Sequence, residues 1–225
     1  MFLGHYAAAL LAKRAVPVAS LGALVAAAQL PDLVWPVFLL LGWERVDITP
    51  GDTAFTPLAF VHYPWSHSLL LVVAWALAAA LAARLRSRPP AIGALACALV
   101  VSHWVLDVVT HRPDLPLYPG GPVVGFGLWR SVPGTLLVEL AMFLMAAWLS
   151  LRTVLRPQRV GRLAVGAFLS TLLLIYIGNV VGPPPPSPKA VAVVALGQWV
   201  LVAWAGWLDQ RRVGVVDESS PGRHT

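Results

Sequence analysis

Apolar runs close to the length of a bilayer crossing, each closed by proline, glycine or arginine, constrain this chain more than any other feature. Five stand out: Ser66–Leu85, Ala91–His111, Gly134–Arg152, Val160–Val181 and Lys189–Asp209. At ~1.5 Å of rise per residue each run crosses a hydrocarbon core of about 30 Å as an α-helix. In lipid only helices and closed barrels satisfy every backbone polar group. The composition, 58% hydrophobic and 12% charged, excludes an ordinary soluble domain, where about 25% of residues are charged. Ahead of the five runs lies a less regular region, residues 2–13 and 18–41, interrupted by Pro17, Pro31 and Pro36. The expected fold is an all-α polytopic membrane bundle of about five full spans plus an N-terminal helical hairpin or broken span. It forms one domain over residues 1–212, followed by a disordered cytoplasmic tail at 213–225.

The net charge of +6 would suit nucleic acid if it formed a patch, but it is dealt out by loop. Lys13 and Arg14, then Arg84, Arg86 and Arg88, then Arg152, Arg156, Arg159 and Arg162, then Arg211 and Arg212 all fall on one side of the bundle. The positive-inside rule makes that side cytoplasmic. The opposite loops carry Glu44, Asp47, Asp52 and Asp114. The expected setting is a prokaryotic cytoplasmic membrane with the C-terminus inside, residues 42–65 outside, and the bilayer rather than nucleic acid as partner. Lys13 and Arg14 followed by an apolar run and Ala26, Ala27 and Ala28 also resemble a signal peptide. Its cleavage would remove His5; the length and apolarity of the leading segment, and Pro31-Asp32 just after it, favour retention. The single Cys97 lies in an apolar helix as a small hydrophobe.

Ionisable groups are costly in or beside lipid, so their recurrence marks a candidate functional site. His67 lies about 26 Å from Arg84 along its helix, Asp107 about 26 Å from Pro90, His103 about 20 Å from Pro90, and Glu139 about 20 Å from Arg152. Asp32, about 21 Å from Val18, reaches the same level, whereas His5, about 12 Å from Lys13, is shallower by this count. The shared level is the outer part of the bilayer. His103, Asp107 and His111 recur at i, i+4 and i+8 and project from one stripe of a helix. Such a stripe can hold a metal, or pair internally as structural glue. Imidazole and carboxylate without thiolate suit zinc, manganese or iron. In HYPWSHS (62–68), Pro64 fixes the chain, Ser66 is a candidate N-cap, and His67 falls in the first turn of the span. His62 stands beside Tyr63 and Trp65, where an aromatic-belt position and a substrate-touching position are both open.

His5, the LPD of Leu30–Asp32, the HxxxxHS of His62–Ser68 and the SHxxxD of Ser102–Asp107 resemble, in that order, the YdjM-type family of membrane-bound proteins read as metal-dependent hydrolases. The likeness covers roughly residues 1–140. Family members often carry HRGxTHS where this chain has HYPWSHS, so Tyr63 and Pro64 replace an Arg and a Gly. A more distant similarity is to the zinc-dependent phospholipase C and single-strand nuclease group. That likeness implies Asp32, His67, His103 and Asp107 around one ion, His5 and Asp107 on a second, and His111 with Glu139 on a third, giving two or three metals. The resemblance also implies hydrolysis; the catalytic candidates are Asp107, His62 and Glu139. Two metals would activate water and clamp a phosphoryl group. Trp65, Trp104 and Trp129 around the site make the expected substrate a phospholipid or lipid-linked phosphate. The competing class is a non-enzymatic metal-binding protein or an ion- or proton-coupled transporter; transporters place such groups near the midplane and show repeats, which this sequence does not.

Overall fold

The computed structural model describes residues 1–153 and 159–217. The chain opens with α1 (Leu3–Ala15), α2 (Leu21–Ala28) and α3 (Leu30–Leu40), followed by a hairpin of β1 (Arg45–Ile48) and β2 (Leu58–His62). A single turn, α4 (Pro64–His67), leads into α5 (Leu69–Leu85) and then α6 (Pro90–Thr110). A second, two-residue strand pair, β3 (Leu115–Pro116) with β4 (Val123–Val124), and a 3-10 turn (Leu128–Arg130) precede α7 (Val132–Thr153). The last helices are α8 (Arg159–Val181), α9 (Pro188–Ala195) and α10 (Gln198–Asp217).

Four of the described segments are long and apolar enough to cross a membrane: Pro90–Thr110, Val132–Arg152, Leu163–Val181 and Pro188–Asp209. The bent pair α2 and α3, turning by 59° at its break, is a fifth if counted as one span, whereas α5 falls short of the length of a full span, so the described residues hold four full spans where the sequence suggested five. This is the expected all-α membrane bundle with a broken N-terminal span, but its first long apolar run forms a shorter helix than the run suggested. Ser68, not Ser66, caps it: the Ser68 hydroxyl accepts from the Leu71 amide at 3.4 Å, and α5 has 17 residues. Residues 213–217, expected in the disordered tail, continue α10, and the rest of that tail lies outside the described residues.

The bend between α2 and α3 follows from sequence. α2 runs out at Gln29, and Pro31, which lacks an amide donor, is tolerated only in the first turn of a new helix. That restart puts Asp32 in the first turn of α3. At the end of the bundle away from Asp32, α2 lies against α10 so closely that a Cβ on Gly22 would stand 2.8 Å from the Gly206 backbone. Small residues at such crossings let helix backbones approach in lipid.

Lys13, counted with the cytoplasmic basic set, is buried instead. Its Nζ donates to Pro17 O at 2.8 Å and Ala19 O at 2.7 Å and pairs with Asp209 at 2.7 Å. Asp209 also accepts from the Leu21 amide at the start of α2 at 3.1 Å. The basic end of α1 therefore sits inside the bundle, and this lets the thirteen-residue α1 carry His5 to the level of the other ionisable groups.

Candidate metal centre

Helix α6 supplies the middle of the site. His103 and Asp107, one turn apart on its inward face, are 0% and 1% exposed. The stripe does not extend to His111. α6 ends at Thr110, and His111 is an extended C-cap residue followed within two positions by Pro113. The freed carbonyls at this end are taken by the glycine-rich loop: Phe126 N donates to Val108 O and Gly127 N to His111 O, both at 2.7 Å. Gly125 (φ +155°) lies so close to the Arg112 backbone that any Cβ would collide. The loop thus caps the helix beside the site.

Around α6, the α2/α3 bend brings Asp32, the single turn α4 brings His67, and α1 brings His5. His67 Nε2, His103 Nε2, Asp32 Oδ1 and Asp107 Oδ2 stand 3.1 to 3.8 Å from one another across the four recorded nitrogen–oxygen pairs. Donor atoms on one tetrahedral ion with bonds of about 2.1 Å are separated by ~3.4 Å. Two overlapping groups result, His5 with His103 and Asp107, and Asp32 with His67 and His103, each with its donor atoms within 4.8 Å. The His5 and His103 rings stack at 3.7 Å.

Each imidazole with a neighbour on its Nδ1 is held from behind. His103 Nδ1 lies 2.8 Å from Ala28 O, a carbonyl left free where α2 breaks. Because a carbonyl can only accept, Nδ1 carries the proton and Nε2 faces inward with a lone pair. For His67, Ser66 Oγ lies 2.6 Å from Nδ1 and donates to Glu44 Oε2 at 2.7 Å, so Ser66 accepts from Nδ1 and Nε2 is again free. For His111, Nδ1 lies 3.0 Å from Asp114 Oδ1, which also accepts from the Tyr63 hydroxyl at 2.9 Å. Outer partners of this kind fix the tautomer and orientation of metal-binding histidines.

Burial raises the Glu44 carboxyl above its ordinary value, against the nearby His67 and the Ser66 hydrogen bonds. Burial also opposes the charge on Asp114, but hydrogen bonding and charge from His111, then the Tyr63 and Arg112 bonds, hold it below the ordinary value. Tyr63 is pushed well up by burial and by the Asp114 charge.

The donor set fits a divalent metal. Among the described residues His5 Nδ1, His103 Nε2 and Glu139 Oε1 are buried without a hydrogen-bond partner. Such groups in a native interior call for a ligand, ion or water. The positive charge found at the cluster is the Met1 amino group, 2.5 Å from Asp107 Oδ1, beside His5 Nε2 at 3.2 Å from the same oxygen.

A family model described as the YdjM inner membrane protein matches residues 1–181. The chain belongs to this family. Every residue of the cluster, and every helix through α8, falls within the YdjM match, which agrees with the order of motifs in the sequence. The more distant likeness to the phospholipase C and single-strand nuclease group gains no support from the match. Neither the curated proteins nor the solved structures give a match to the chain.

The structure gathers His5, Asp32, His67, His103 and Asp107 into two overlapping donor groups, and Glu139, His111 and His62 fall outside those groups. Glu139 lies outside both donor groups: its Oε2 accepts from the Phe2 and Leu3 amides at 2.9 and 2.8 Å, capping the start of α1. His111 is likewise outside both groups. Both line the same cavity, of ≈ 930 Å³, as Asp32, His67 and Asp107. His62, a catalytic candidate from the sequence, is exposed at the end of β2 opposite Arg45 and is not among the residues lining the cavity. Tyr63, the residue just past the strand, is buried instead. Arg112, at the outer end of α6, is engaged by Asp52 and Asp114.

The supporting roles of Glu44, Ser66 and Asp114 carry no local signal in the sequence. Glu44 and Asp114 looked like ordinary outer-loop acids, and only the chain reversals bring them under the histidines.

Proposed function

We propose that this YdjM-family chain is a metal-dependent hydrolase of the membrane, cleaving a phosphoester borne by a lipid, with its site towards the external face and its C-terminus in the cytoplasm. The observation that carries the reading is the pair of donor groups sharing His103, with lone pairs turned inward by Ala28 O and by the Ser66–Glu44 relay. His5, Asp32, His67, His103 and Asp107 would hold one or two divalent ions, zinc, manganese or iron. A metal bound there supplies Lewis acidity and lowers the pKa of water.

The chain's own residues account for the remaining requirements. Asp107 offers Oδ1 towards the His5 side and Oδ2 towards the His67 and His103 side, so it is the group suited to bridge. Among the described residues no Arg or Lys lines the cavity, while Asp32, Asp107 and Glu139 do. An anionic phosphate would be repelled from these carboxylates alone, so its binding depends on the metal. His111, held through Nδ1 by Asp114 and Tyr63 on the cavity wall, keeps its other ring nitrogen unprotonated, and would take a proton from the attacking water and return it to the departing oxygen. Trp129, its ring 4.3 Å from that of His111, and Phe60 pack against this imidazole.

The test is elemental analysis of purified protein, then phosphate release from lipid monophosphates with and without chelator. Stoichiometric metal and chelator-sensitive release support the reading. Bound metal with no release from any phosphoester would leave a non-enzymatic metal-binding protein, the competing class.

A further inference from the structure

The cavity does not end at the donor cluster. It continues between the last helices, where Ile175 and Gly178 of α8, Val191 and Val194 of α9, and Leu201 and Trp204 of α10 line it. Val194 is 77% exposed while also lining the cavity, so the cavity opens sideways through the surface that faces hydrocarbon. A water-soluble phosphoester would have no use for an apolar side opening at membrane depth. Gln198 adds a polar point to this wall, with Oε1 buried and without a hydrogen-bond partner among the described residues.

We propose that this groove is a tail channel: the hydrocarbon chain of a lipid monophosphate lies between α8 and the α9–α10 segment, with its phosphate at the Asp32, His67, His103 and Asp107 cluster. The placement of the phosphate rests on the metal reading above; the placement of the chain rests on the groove. α8 lies inside the family match, whereas α9 and α10 lie beyond residue 181.

Gly178 gives the groove a point of control. A Cβ added there meets nothing within 4 Å, so a larger side chain projects into open space without disturbing the backbone. Replacing a helical glycine also favours the helix. Gly178→Leu should thus obstruct the channel while leaving the fold intact.

The test uses full-length, zinc-loaded protein in phosphatidylcholine nanodiscs and hexadecylphosphonate carrying a photoreactive group at the end of its chain. The phosphonate cannot be hydrolysed, so the readout is binding. Crosslinks are expected on α8 and α9 residues of the groove and should be competed by excess unlabelled hexadecylphosphonate, but not by methylphosphonate. Gly178→Leu and, independently, Val194→Trp should lower the competed fraction by about tenfold, the scale on which pocket volume discriminates hydrocarbon. Leu163→Trp, on an exposed part of α8 outside the cavity lining, should leave it unchanged.

Crosslinks spread over the outer faces and not competed, or a competed fraction untouched by both groove variants, would overturn the proposal. Competed groove labelling without chelator-sensitive phosphate release would retire the hydrolase reading and leave the channel standing. Release of phosphate from short-chain esters without groove labelling would do the reverse.

Discussion

His67 shows how much of the site is set by residues that never face the cavity. Its ring is held by Ser66, and Ser66 by Glu44, whose side chain also accepts the Ser66 amide at 2.8 Å. Removing the hydroxyl leaves Nδ1 and the buried Glu44 carboxylate without their shared partner, and the ring free to rotate or change tautomer. Ser66→Ala and Glu44→Gln are each expected to weaken metal binding about 10- to 100-fold without removing a donor atom. Competition against a chromophoric chelator measures this, and wild-type affinity in both variants would mean that the relay does not orient His67. The HxxxxHS spacing made His67 visible in the sequence, but its support was hidden. Glu44 is twenty-two residues before Ser66 in a loop, and nothing local says that the chain will reverse beneath α4.

At the scale of elements, the long helices were legible because a span must be a continuous apolar run, and Pro31 marked the break that exposes Asp32. The two short hairpins were not legible. Their strands are two to five residues long, and their pairing is fixed by the loops they close, not by apolar alternation. The inward pull on Lys13 was equally hidden, because a lysine beside an arginine reads as a surface charge until Asp209 arrives from the far end of the chain. That arrival makes two predictions. Gly22→Val places atoms into the α10 backbone and should lower the melting temperature, with Gly206→Ala much milder because the nearest atom to its Cβ is 3.9 Å away. Equal effects of the two substitutions would deny the close α2/α10 crossing. Asp209→Ala leaves the buried Lys13 ammonium without its counter-ion and should destabilise by about 3 kcal/mol in detergent unfolding experiments. A negligible change would mean that the two backbone carbonyls suffice for Lys13.

Across the whole molecule, the arginine-bearing turns and the donor cluster lie at opposite ends of the same helices, since Arg84 ends α5 while His67 precedes it. This arrangement predicts sidedness: in a Cys97→Ala background, cysteine at Gly51 should react with an impermeant maleimide in spheroplasts and cysteine at Ser87 only after lysis. The opposite pattern would invert the topology without touching the cluster. The cluster has its own global signature through Asp107, which both pairs with the Met1 amine and stands against His5, His67 and His103. In metal-free protein Asp107→Ala strips the counter-charge from a buried amine, so the variant should melt below wild type. Zinc then separates a ligand from a merely structural carboxylate. At about 100 times its Kd a native-state ligand adds roughly 2.7 kcal/mol, so wild type should gain a clear rise in melting temperature and Asp107→Ala little or none, with lower bound zinc. Equal zinc-induced shifts and unchanged stoichiometry in the two proteins would remove Asp107 from the ligand set, and the bridging role assigned to it would fall with it.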